Sequence, residues 1–153
     1  MKRILTFIIA SLIVLGLLIQ LIPYGHNHTN PSVNTEPNWD SPDTRALAQR
    51  ACFDCHSNQT RWPWYSNIAP ASWLVYRDVT EGRMHINFSD WNRPDEQHVD
   101  EFQEVFDKNS MPPANYLLLH PEARLSTEEK QKLFDGLTKL AESYRKKLYG
   151  YQT

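Results

Sequence analysis

Residues 4–22 are the part of the chain with the fewest folding options. They read ILTFIIASLIVLGLLIQLI, carry no charge, and include only Thr6, Ser11 and Gln20 as polar side chains. A helix rising about 1.5 Å per residue over this run crosses most of a hydrocarbon core roughly 30 Å thick. Nothing on the run offers a polar face for a soluble setting. Lys2 and Arg3 precede it and stay on the cytoplasmic side, which sends the remainder of the chain outward. A cleaved signal peptide has a shorter apolar region, about 7–15 residues, followed by a small-x-small site. Here Leu21-Ile22-Pro23-Tyr24-Gly25 follow instead, so the segment reads as an uncleaved anchor. The expected placement is a single pass through a bacterial cytoplasmic membrane, with residues 23–153 in the periplasm or extracytoplasmic space.

Three parts follow from this reading: an anchor over 1–22, a flexible linker over 23–40 and a domain over 41–150. The linker assignment rests on Pro23, Gly25, Asn27, Asn30, Pro31, Asn34, Pro37 and Asn38, few of which can pack. His26 and His28 fall there as solvated side chains. In the domain, Ser41-Pro42 is an N-cap followed by proline at the first helical position, and opens a helix running through Ala46, Leu47 and Ala51. Residues 57–69 hold prolines and large aromatics and read as an ordered loop. Pro70 opens a second helix through Trp73, Val75, Tyr76 and Val79, ending at Gly82. Pro94 opens a third, with Val99, Phe102 and Phe106 on one stripe. Ser126-x-x-Glu129 is a capping box for a fourth, whose core-facing stripe is Leu133, Leu137, Leu140, Tyr144 and Leu148. The expected fold is all-α, with about four helices behind one transmembrane helix. A net charge of −2 gives no basic field for nucleic acid.

The only cysteines form Cys52-Phe53-Asp54-Cys55-His56, the C-x-x-C-H spacing of covalent haem attachment. Residues three and four apart on a helix share a face, so two thiols can reach the two vinyl groups on one porphyrin edge while the next histidine faces the iron. Three rival readings exist. A thiol–disulfide redox pair belongs in a βαβ setting that the pattern lacks. A zinc site wants four ligands, and His26, His28, His85, His98 and His120 offer no H-x3-5-H pair. A short structural disulfide is the third. For haem iron, His56 is the proximal ligand and Met111, ahead of Pro112-Pro113, the leading second ligand; a core-filling role is the usual alternative for a methionine. His85 is the rival, followed by His120 and Met84. Trp62, Trp64, Tyr65, Trp73 and Trp91 are candidates to line a haem pocket, with Arg61 or Arg83 pairing a propionate. These aromatics equally suit an ordinary core.

The stretch CFDCHSNQTRWPWYSNIAPASWLVYRDVTEGRMHINFSDW resembles the bacterial haem-binding domain family, defined by C-x-x-C-H-S-N…W-P-W-Y. The run MPPANYLLLHPEARLSTEEKQKL matches it too and is similar to the Met-Pro segment before the last helix of cytochromes c. The resemblance covers about residues 40–140. It implies haem attachment at Cys52 and Cys55, His56 as proximal ligand and Met111 as the sixth ligand, and it places His85 within the family's G-R-x-H-x-N-F-S segment. The expected function is one-electron transfer by haem c to a redox partner protein. A haem enzyme or gas sensor with a displaceable sixth ligand, and a haem-free thiol oxidoreductase, are the alternatives. No nucleophile–base pair and no small-molecule substrate is evident. The acidic stretch 95–104 is a solvated face or a surface that steers a basic partner.

Overall fold

The structure is a computed structural model that describes residues 1–93 and 97–150. Among these residues the chain is all helical, with seven α-helices and no strand; Thr35 and Asp90 form one isolated parallel bridge. Helix α1 (Lys2–Leu18) continues as a 3₁₀ turn to Leu21. Together they span 20 residues, about 30 Å, and bury no side chain, so this helix is long and apolar enough to cross a membrane.

The domain is built around the final helix. Helix α2 (Pro42–Ala51) starts where Ser41 Oγ accepts from Thr44 N–H at 3.1 Å, and α7 (Thr127–Tyr149) starts at a complete Ser126/Glu129 capping box. Leu133, Leu137, Leu140 and Tyr144 of α7 are buried against Leu47, Ala48, Phe88 and Trp91. Each such leucine contributes about 1.5–3 kcal/mol by leaving water. Gly136 lets α2 and α7 approach: a Cβ there would meet Thr44 Cγ2 at 2.3 Å. Leu148 differs from the expected stripe and is 46% exposed, because the last turns of α7 run past the core.

The remaining helices are α3 (Phe53–His56), α4 (Ala71–His85), α5 (Glu101–Asp107) and α6 (Ala114–Leu119). Among the described residues the domain thus has six helices, the short α3 and α6 adding to the four expected. The backbone leaves helical geometry at Cys52 (φ −124°), which separates α3 from α2. Asn109 at φ 49° and the Pro112-Pro113 pair separate α5 from α6. Helix α4 continues past Gly82 to His85, where the guanidinium of Arg93 donates to the carbonyls of Arg83 and Met84 that the helix end leaves unpaired. Pro94, the expected opening of the third helix, lies outside the described residues, as do Asp95 and Glu96 of the acidic stretch.

Residues 23–40 differ from the expected free tether. Asn34 and Thr35 N–H donate to Ser89 O at 2.8 and 3.2 Å, and Trp91 N–H donates to Thr35 O at 2.9 Å. Trp39 packs on Phe53 and Phe88, and Arg45 grips Glu36 with two bonds of 2.7 Å. His28 stacks on Trp62 and bonds Ser66 O at 3.0 Å. Asparagine and proline in this segment serve an extended strap that borrows hydrogen bonds from the domain.

Candidate functional site

Alpha-helix α3 is one turn long, and its position comes from its neighbours. Cys55 and His56 N–H donate to Cys52 O at 3.2 and 2.9 Å, and Phe88 N–H donates to His56 O at 2.8 Å. Phe88 is held in turn by a buried amide network, in which Asn87 N–H donates to Gln97 Oε1, and Gln97 N–H donates to Tyr144 OH, both at 2.9 Å. On the other side α4 lies against α3 at Gly82, where a Cβ would meet Cys55 O at 2.5 Å. Gly82 is therefore a point of close approach, not a helix end.

That approach orients His56. Its Nδ1 lies 2.9 Å from Gly82 O and 3.3 Å from Ile86 O. Carbonyls only accept, so Nδ1 carries the proton and Nε2 keeps its lone pair. Burial lowers the pKa of His56 despite the raising effect of the two carbonyls, and holds the imidazole neutral. Neither cysteine is in a disulfide. Burial pushes both thiols up to about 12, helped at Cys52 by Cys55 and at Cys55 by Asp78 and Asp54.

Cys52, Cys55 and His56 open on one cavity of about 380 Å³, within the range of roughly 300–1,000 Å³ usual for small-molecule and cofactor sites. Its walls include Phe88, Phe102, Phe106, Leu133 and Leu137, so the stripes of α5 and α7 face it. Met111, 46% exposed, and His85 also line it. The donor set and the apolar walls fit a haem group. Two sulfurs and one neutral imidazole with an oriented lone pair share the cavity, and a ligating histidine that donates its other ring N–H to a carbonyl is the usual arrangement at a metal.

The structure places the other expected pocket residues elsewhere. Arg61, Trp62, Trp64 and Tyr65 do not line this cavity. Arg61 is committed to Asp54, which accepts its backbone N–H at 3.0 Å and its Nη2 at 3.3 Å; this pairing raises the Arg61 pKa. Trp62 packs on His28, and Trp64 is 76% exposed. Tyr65 OH lies 2.7 Å from His120 Nε2, which ties the aromatic loop to the end of α6. Arg83 donates to Ser57 O at 2.8 Å and Thr29 O at 3.2 Å, and Trp91 belongs to the core. These side chains fasten the strap and α6 onto the scaffold.

Sequence reasoning missed Asp54 and Tyr116. Tyr116 OH donates to Asp54 Oδ2 at 2.7 Å, joining α6 to the turn between the two cysteines. Burial, then that carboxylate, raises the phenol above its ordinary range. Only the placement of Asp54 inside the C-x-x-C-H motif hinted at such a role.

An all-helical domain behind an apolar N-terminal helix, with two thiols and one imidazole on a single apolar cavity, defines a small cofactor-binding protein. Comparison with protein families agrees: the haem-binding domain matches residues 14–139, from within α1 to the last turns that line the cavity. The chain belongs to the haem-binding domain family and is a haem-binding protein. No curated protein and no solved structure matches it.

Proposed function

We propose that the chain is a membrane-anchored, cytochrome c-like carrier of haem c, facing the periplasm and passing one electron at a time to a redox partner protein. The observation that carries this reading is the shared cavity of Cys52, Cys55 and His56, with His56 Nδ1 bound to Gly82 O and Nε2 left free. Cys52 and Cys55 would hold the ring covalently, each thiol giving its sulfur to one carbon of a vinyl group and its hydrogen to the other, so attachment would need no oxidant. His56 Nε2 and Met111 would hold the iron, with His85 the rival to Met111. Bound haem supplies the one-electron couple, and a Met/His pair raises its potential. The chain's part is to orient the imidazole, keep water from the ring and hold the cofactor against loss. Thiols held near 12 carry little thiolate at neutral pH, which argues against a thiol oxidoreductase.

The test is the mass of full-length protein made in a host competent for haem c maturation. It should carry one added porphyrin that survives denaturing electrophoresis, and Cys52→Ala with Cys55→Ala should abolish it. Protein from that host without the added mass overturns the reading. The exposure of Met111 supports a second reading, a displaceable ligand in a gas sensor or haem enzyme. Carbon monoxide uptake by the reduced, native protein would favour it over the carrier.

A further inference from the structure

We infer that His85, His98 and Glu101 form a second metal site, for a divalent transition ion of the zinc or copper class, at the rim of the cavity. The three come from two pieces of chain: His85 ends α4, and His98 and Glu101 lie three residues apart where α5 begins. One donor atom from each lies within 4.8 Å of the other two. His85 Nδ1 sits 3.0 Å from Glu101 Oε2, and His98 Nδ1 sits 3.1 Å from Oε1, with the ring centroids 5.0 Å apart. Both nitrogens therefore aim at one carboxylate, and an ion entering there takes the place of the two hydrogens. Each ring proton moves to Nε2, so binding requires no net proton loss from the imidazoles. The backbone sets the spacing in advance, since His98 N–H donates to His85 O at 3.0 Å. All three side chains are about half exposed, which leaves an entry path.

Two imidazoles and a carboxylate suit zinc, copper or nickel rather than calcium or magnesium. Three protein ligands also leave coordination positions for water. Because His98 and Glu101 adjoin the α5 wall that carries Phe102 and Phe106, a bound ion ties that wall to the end of α4. It also commits His85 to the rim and not to the iron. The site does not depend on haem attachment, but it rests on Met111 rather than His85 being the second ligand of the proposed reading.

The experiment is a titration of full-length, haem-loaded protein in detergent with zinc by calorimetry, alongside copper(II) by electron paramagnetic resonance. One zinc per chain is expected, with His98→Ala and Glu101→Gln each weakening it by about tenfold or more. The copper spectrum should show coupling to two imidazole nitrogens, and the haem absorption of the protein should not change on zinc addition. Both replaced residues are on the surface, and haem content reports that the variants fold. Absence of saturable zinc uptake, or uptake that both variants retain, overturns the site. Protein lacking haem that still binds zinc in this way separates failure of the haem reading from failure of this one.

Discussion

At the scale of the residue, His56 is governed by the carbonyl of Gly82. The bond from Nδ1 to that oxygen chooses the tautomer and thereby decides which nitrogen is free. Glycine is required because any side chain would drive α4 off Cys55 O. Gly82→Ala should destabilise the domain by about 1–3 kcal/mol, as overpacked contacts do, and lower the haem content of purified protein. A melting curve like that of the parent would show that α4 does not need the close approach. Met111→Ala should alter the haem absorption spectrum and lower the reduction potential. An unchanged spectrum would remove Met111 from the iron and pass the ligand role to His85. That Cys52, Cys55 and His56 share one cavity was legible because residues three and four apart on a helix lie on one face. Gly82 read as a stop because in sequence a close-approach glycine and a helix-ending one look alike.

At the scale of the element, the long helices were legible, α2 and α7 from their caps, α4 from Pro70 and α1 from its apolar run, and the short α3 and α6 were not. Ser41-Pro42 and Ser126-x-x-Glu129 begin α2 and α7 where expected, since a cap is a local hydrogen-bond solution. The short α3 and α6 owe their form to distant partners, such as Asp54 with Tyr116, that no window of sequence contains. Residues 23–40 misled for the same reason: Glu36 reads as linker until Arg45 closes on it. This pair gives a test of the strap. Arg45 hydrogen bonding holds the Glu36 carboxyl below its ordinary range, roughly pH 4–5. A carboxyl whose native pKa is depressed adds stability above its unfolded pKa and loses it as pH falls through the native value. Glu36→Gln should therefore cost about 0.5–1 kcal/mol near neutrality, with parent and variant converging in acid. Thermal melts over that range check it, and a gap independent of pH would assign the effect to something other than this charge.

At the scale of the whole molecule, the apolar N-terminal helix and the domain are joined by a side chain as well as by the chain. Gln20 Nε2 donates to Ala69 O, and Ala69 N–H donates to Gln20 Oε1, both at 2.9 Å. Tyr24 packs edge-on against Tyr76 nearby, at 5.3 Å. Gln20→Leu keeps the apolar run intact, so under the proposed reading the protein should stay in the membrane. The junction should open more easily by about 1–2 kcal/mol, read as roughly tenfold faster amide exchange around Ala69. Parental exchange there would mean the amide pair holds nothing. The rigid piece beyond that junction is α4, which begins two residues after Ala69 and reaches His56 through Gly82. Ala71 and Gly82 are eleven helical steps apart, about 16 Å. That length is a ceiling on how far α4 can lift Gly82 from the junction: under the proposed reading, a partner that trades electrons here cannot wait far out in solution and must come down to the lipid surface.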